Sequence, residues 1–245
     1  MQPDIRVYPD LSSLEDAVAQ HFLLAVNQAV QQRARAKIAL SGGNTPLGLF
    51  KLLGSDVYRK TLPWTQIHFF WVDERCVPET DPESNYGQFK GKVLDPLKIA
   101  SSQIHPINGN LPAQKAAESY NSELRAVADP DQTWPRFDWV LLGMGADGHT
   151  ASLFPYQSTG LQEDQAAIAV QAEYDGRPAE RVTLTPLILN AARQLVFMAS
   201  GTAKQATIRE VIRGPFDPIR LPAQRIQPTD GRLVWMLDEA AASQL

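Results

Sequence analysis

Runs of four to six largely apolar residues alternate along this chain with longer segments whose apolar residues recur at helical spacing. Few architectures accommodate that order. The runs are Lys37–Leu40, Ile67–Val72, Ile104–Ile107, Phe137–Leu142, Ala166–Gln171, Arg181–Thr185, Leu195–Ala199 and Leu233–Leu237. Between them, Leu14, Ala17, Val18, Phe22, Ala25, Val26, Ala29 and Val30 mark an amphipathic helix, and Ser12 with Glu15 has the spacing of its capping box. Further helices are expected from Pro46 to Leu53, Asn85 to Leu94 and Pro112 to Ala128, after Pro186, after Gly201 and at the C-terminus. Strands buried on both sides and joined by helices predict an α/β fold, a doubly wound, mainly parallel sheet with helices on both faces.

Composition narrows the function. The 245 residues form one expected domain, 1–245, long enough to bury a core without covalent staples. A single cysteine, Cys76, excludes an internal disulfide framework, a CxxC redox pair and a thiolate metal cluster. The formal charge of −4 argues against nucleic acid as a partner but leaves room for a local basic pocket. No apolar stretch approaches the ~20 residues of a membrane span. The N-terminal segment MQPDIRVYPD reads as no secretory signal, so a cytoplasmic location and no membrane partner are expected, and a monomer is expected because an acidic surface of this size is compatible with one.

In open parallel sheets ligands bind beyond the carboxyl ends of the strands. Four loops there concentrate glycine, acid and base: Ser41–Pro46, Asp73–Arg75, Gly143–His149 and Gly201–Lys204. Any one could be a plain turn; four on one edge point to a site. Ser41-Gly42-Gly43-Asn44-Thr45-Pro46 reads as a phosphate cradle without a nucleotide motif, since no Gly-Lys-Ser/Thr follows. Lys204 in a first helical turn opposes the helix dipole, which a bound phosphate would explain.

Gly143 to Gly148 matches GxGxxG but is read as a decoy. It sits on a mid-chain strand, and Glu163 and Asp164 do not end a second strand as a dinucleotide site requires. Asp147 and His149 in the same turn suggest an oriented general base. Asp73 is either functional or paired to Arg75. His21, His68 and His105 are read as structural, and Cys76 as a small side chain rather than a nucleophile.

Together, SGGNTP (41–46), WVDERCVP (71–78), ESNYG (83–87), GMGADGHTASLFP (143–155), RVTLTPLILNAAR (181–193) and SGTAK (200–204) resemble the 6-phosphogluconolactonase family, relatives of glucosamine-6-phosphate deaminase. The resemblance implies a Rossmann-like sheet, no cofactor and no metal. It also implies hydrolysis of 6-phospho-D-glucono-1,5-lactone to 6-phosphogluconate, in the oxidative pentose phosphate pathway. His149 would activate water with Asp147 beside it. Ser41, Gly42 and Gly43, next to Asn44, would hold the phosphate with Arg181 and Lys204, while Asp73 and Arg75 would line the sugar end. Two positions depart from relatives. Gly87 stands where the family often has arginine, so ESNYG carries little weight for binding. Phe154 stands where the deaminases typically carry glutamate, which favours the lactonase over a deaminase. A non-catalytic sugar-phosphate sensor is the remaining alternative; it would not need the Asp147–His149 pair.

Overall fold

The computed structural model describes residues 4–157 and 164–245, so Glu163 lies outside the described residues. Among the described residues the strands are β1 (Asp4–Tyr8), β2 (Ala36–Leu40), β3 (Ile67–Trp71), β4 (Asp73–Arg75), β5 (Ile104–His105), β6 (Trp139–Leu142), β7 (Ala167–Gln171), β8 (Glu180–Leu184), β9 (Gln194–Ala199) and β10 (Arg232–Asp238). Seven form one sheet in the order β1-β10-β9-β6-β2-β3-β5, and every neighbouring pair is parallel. The α/β expectation holds: the chain is doubly wound, running outward from β2 through β3 to β5, then returning to β6 on the other side of β2. The order therefore reverses between β2 and β6, and a ligand crevice is expected outside their carboxyl ends.

Burial explains why these strands read as unbroken apolar runs. All five residues of β2 and all four of β6 are buried. Trp139 meets Phe22 of the first helix edge-on at 5.2 Å, and Phe197 stacks on Trp235 at 4.0 Å across β9 and β10. That helix, Leu11–Arg33, turns Leu14, Val18, Phe22, Ala25 and Ala29 inward. Its cap is not the expected Ser12–Glu15 pair: Asp10 accepts the Ser13 N–H at 2.8 Å. An extended Asp10 followed by a free first turn suits capping better than Ser12, which already lies within the helix. The helix expected from Asn85 to Leu94 begins as Asn85–Phe89 and continues as a π-helical turn, Lys90–Leu94.

Three strands depart from the parallel expectation. A second sheet, β4-β8-β7, is wholly antiparallel. Asp73–Arg75, expected as a loop, is strand β4 of this sheet, with Asp73 opposite Thr183 and Arg75 opposite Arg181. The β7–β8 pair is a hairpin whose ladder continues through Ala172–Ala179 to a Tyr174–Arg177 bridge. Asp175 and Gly176, at φ 52° and 66°, make its two-residue turn.

Candidate active site

A cavity of about 360 Å³ opens at the carboxyl ends of β2, β6 and β9. Of the ten residues singled out from sequence, nine line it: Ser41, Gly42, Gly43, Asn44, Asp73, Arg75, His149, Arg181 and Lys204. Asp147 is the tenth and is not on the wall; it stands behind His149. Its Oδ1 accepts from His149 Nδ1 at 2.6 Å and from the His149 backbone N–H at 3.1 Å. Burial alone would raise the Asp147 carboxyl, but these hydrogen bonds and the imidazole outweigh it and hold Asp147 below the usual carboxylate value. An ionised Asp147 fixes the proton on Nδ1 and leaves Nε2 as the basic nitrogen.

The turn that presents this pair depends on its glycines. The Gly145 N–H donates to the His149 carbonyl at 2.9 Å, closing the loop. A Cβ on Gly145 would lie 2.2 Å from His149 Nδ1 and 2.5 Å from Asp147 Oδ1. Gly148, at φ 86°, holds the left-handed conformation that favours glycine. What looks like a dinucleotide fingerprint is thus the clearance for an acid–imidazole pair. The His149 ring also rests against Phe154 and Tyr174, each 4.7 Å between centroids.

The cavity wall is strongly cationic. Arg75, Arg177, Arg181 and Lys204 face Asp73 as the carboxylate on the wall. Asp73 is not paired to Arg75, as one sequence reading allowed. Its Oδ2 accepts from Ser152 Oγ at 2.7 Å and its Oδ1 from Asn85 Nδ2 at 3.3 Å. Arg75 donates instead to the Glu83 carbonyl at 2.5 Å and to Glu83 Oε2 at 3.0 Å. Arg181 is only 3% exposed, yet its Nε and one terminal nitrogen have no hydrogen-bond partner among the described residues; neither do Arg75 Nε nor Ser41 Oγ. Burial pulls Arg181 below the ordinary guanidinium value, with Asp73 opposing, but a guanidinium remains charged near neutrality. Buried, unpartnered donors converging on one cavity are what an anionic ligand would satisfy.

Lys204 ends a short 3-10 turn, Thr202–Lys204, ahead of the helix Gln205–Arg213. Asp238 fixes that turn by accepting from Ser200 Oγ at 2.5 Å and from the Gly201 N–H at 3.1 Å. The Lys204 ammonium lies 3.4 Å from Thr45 Oγ1, so it bridges the two glycine loops. Burial lowers its pKa from the usual lysine value, with Asp238 opposing.

Several wall residues escaped the sequence reading. Asn85, in the discounted ESNYG stretch, packs against the cradle so closely that a Cβ on Gly42 would sit 2.1 Å from its Oδ1. Gly87, the departure that prompted the discount, has its own cause: a Cβ there would sit within van der Waals overlap of the Glu79 carbonyl. Tyr174 and Arg177 come from the hairpin turn. Glu74, buried between Asp73 and Arg75, accepts the backbone N–H groups of Arg75, Asn85 and Tyr86 and the Ser84 hydroxyl, and so ties β4 to the Asn85 helix. Burial pushes Glu74 up to about 7 against those bonds. The residues read as structural stay out of the site: His21 accepts from Trp139 Nε1, and His68, His105 and Glu123 hydrogen-bond in a row. Burial raises the Cys76 thiol to about 11, which removes it as a nucleophile near neutrality. Among the described residues, no helix is long and apolar enough to cross a membrane.

Known proteins align with this chain over nearly its whole length. The 6-phosphogluconolactonase of Haemophilus influenzae is 35% identical over 240 residues, 97% of this chain and 98% of its own. That of Synechocystis is 36% identical over 247 residues, 100% of this chain and 99% of its own. The crystal structure of 6-phosphogluconolactonase from Thermotoga maritima superposes with a TM-score of 0.83 at 29% identity, covering 97% of this chain and 100% of the other. The sequence profile of the glucosamine-6-phosphate isomerases/6-phosphogluconolactonase family matches residues 9–235. With that match spanning the cradle, the β4 strand, the Asp147–His149 turn and Lys204, the chain belongs to the glucosamine-6-phosphate isomerase/6-phosphogluconolactonase family.

Proposed function

We propose that the chain is a 6-phosphogluconolactonase, hydrolysing 6-phospho-D-glucono-1,5-lactone to 6-phosphogluconate, the second step of the oxidative pentose phosphate pathway. The observation that carries the mechanism is the 2.6 Å contact between Asp147 Oδ1 and His149 Nδ1 on the edge of a cationic cavity. His149 Nε2 takes a proton from a water as its oxygen attacks C1 of the lactone. The carbonyl electrons move onto oxygen, and the tetrahedral oxyanion collapses by expelling the ring oxygen. The imidazolium returns its proton to that oxygen, leaving the open-chain acid. Asp147 holds the tautomer and supports the transient imidazolium. The buried, unpartnered nitrogens of Arg75 and Arg181 are the donors best placed to meet the oxyanion and the phosphate. Lys204 and the Ser41–Asn44 cradle complete the phosphate grip and fix the distance to C1. Asp73, anchored by Ser152 and Asn85, has an oxygen array suited to the sugar hydroxyls and opposes the effect of burial on Arg181.

Phe154 supports the lactonase over the deaminase, because an apolar ring packs 4.7 Å from His149 where the deaminases carry a carboxylate. The test is acid release from freshly generated lactone, with the spontaneous rate subtracted. His149→Ala is expected to lose ~10²–10⁴-fold in kcat. Near-full activity in that variant would reject the base assignment, and ammonia release from glucosamine 6-phosphate in place of lactone hydrolysis would reject the reaction.

A further inference from the structure

At the opposite edge of the main sheet, where β6, β9 and β10 begin, a second cavity, of about 380 Å³, opens to the surface. Six residues of β9, at roughly 3.3 Å each, put it about 20 Å from the catalytic cavity. Four arginines line it, Arg33, Arg136, Arg193 and Arg232, against two carboxylates, Asp138 and Asp230. The formal balance is 4 − 2 = +2, in a chain whose overall charge is −4.

Both carboxylates are already engaged. Asp138 accepts Arg33 Nε at 2.9 Å on one oxygen and the Lys37 backbone N–H at 2.8 Å on the other. Asp230 is held by one terminal nitrogen of Arg136 at 2.5 Å. The cations remain under-served. Arg136 Nε is buried without a hydrogen-bond partner among the described residues. Arg193 Nε lies 3.3 Å from Asp138 Oδ1 but at an angle that makes no hydrogen bond. Arg232 makes no ion pair among the described residues. Burial, followed by the like charges of Arg33 and Arg136, holds the Arg193 pKa below its usual value, so the crowding is felt. Planar guanidinium forks with free N–H groups match the paired oxygens of a phosphate, and one phosphate dianion cancels the excess of two charges. The volume suits a small molecule, since ligand pockets fall at roughly 300–1,000 Å³.

We propose that this cavity is a second anion site, which takes the dianionic phosphate group of a small molecule through Arg136, Arg193 and Arg232. The site shares no residue with the catalytic cavity, and the proposal stands whether or not the lactonase reading does. Because β6 leads from Asp138 into the Asp147–His149 turn, and β9 from Arg193 into the Lys204 turn, its occupant contacts the starts of the strands that carry the catalytic loops.

Equilibrium dialysis of radiolabelled inorganic phosphate against the full chain tests it, with Arg193→Gln and Arg232→Gln alongside. Each variant is expected to weaken one site about ten- to a hundredfold, the loss of one or two charge-assisted hydrogen bonds, while lactone hydrolysis stays at the wild-type rate. Arg232 is exposed, so its replacement separates binding from folding. Isotherms of both variants superimposing on wild type would overturn the proposal. So would succinate displacing phosphate from this site at lower concentration than phosphate itself requires, which would make the ligand a dicarboxylate.

Discussion

Replacing Gly145 by alanine adds one methyl group, and the structure says where it goes: 2.2 Å from His149 Nδ1, 2.3 Å from Cε1 and 2.5 Å from Asp147 Oδ1. Ordinary contact needs about 3.5 Å or more between such atoms, so the imidazole and the carboxylate must retreat by roughly 1 Å. They cannot retreat together, because the methyl intrudes where their hydrogen bond forms. A displacement near 1 Å at a reacting group costs on the order of 10²-fold in rate, and the lost tautomer control adds to it. Gly145 is not among the residues with positive φ, so alanine suits its backbone and the fold is expected to survive. Gly148→Ala is the contrast. It imposes strain at φ 86° and brings a Cβ 2.7 Å from Leu221 Cδ2, so it should lower stability as well as rate. The assay is steady-state lactone hydrolysis beside thermal denaturation. For Gly145→Ala, kcat should fall about a hundredfold or more, with KM and Tm close to wild type. A Gly145→Ala enzyme with wild-type kcat would refute the link between this pair and the chemistry.

Burial lowers the Lys204 pKa, so the ammonium discharges earlier than an ordinary lysine as pH rises; the affinity for 6-phosphogluconate, followed by calorimetry, should weaken on the alkaline side, and Lys204→Arg should remove that dependence. Glu74 is pushed up to about 7 from 4.5, so the folded state binds the extra proton. Its contribution to stability is full below pH 4.5 and is lost as pH rises through about 7. The rise from 4.5 to about 7 sets an upper bound of about 3 kcal/mol, and urea unfolding at pH 5 and 8 should show a smaller pH difference in Glu74→Gln than in wild type. Tyr120 is buried and its hydroxyl accepts the Trp71 N–H at 3.0 Å and donates to the Trp71 carbonyl at 2.9 Å. Tyr120→Phe orphans both groups and should cost about 2–4 kcal/mol in denaturant titration.

The central sheet was legible because its strands are buried on both faces, so period and length alone mark them. β1 was not, since Asp4–Tyr8 lies at the sheet edge and is largely exposed, leaving no apolar run to read. The hairpin of the second sheet did leave a signal. Asp175-Gly176 between two strands is a strong two-residue turn, and its ladder runs in one register from Ala167–Leu184 to Tyr174–Arg177. Reading it as a hairpin would have made β7 and β8 antiparallel and brought Arg177 and Tyr174 toward Arg181. β4 is harder. Asp73, Glu74 and Arg75 are all nearly buried, a state that charged residues reach only through partners distant in sequence: Ser152 for Asp73, the Asn85 helix for Glu74, Glu83 for Arg75.

The site itself was more legible than the sheet that supports it, for a reason that lies in the topology. A parallel sheet gathers its functional loops at one edge, so residues that follow strands converge however far apart they stand in sequence: Ser41 after β2, His149 after β6 and Lys204 after β9. Side chains within strands, such as Arg181 on β8, gain no such guarantee, and only the resemblance placed Arg181 in the site. Asn85 shows the limit most plainly. Its place on the wall follows from how closely it packs on Gly42 and from the bonds that tie its backbone to Glu74 and its amide to Asp73. Those partners are more than ten residues away, on a loop and a buried polar strand, where neither period nor composition reports a contact. The cradle glycine reads as freedom for a ligand, whereas Gly42 is also required by the side chain behind it.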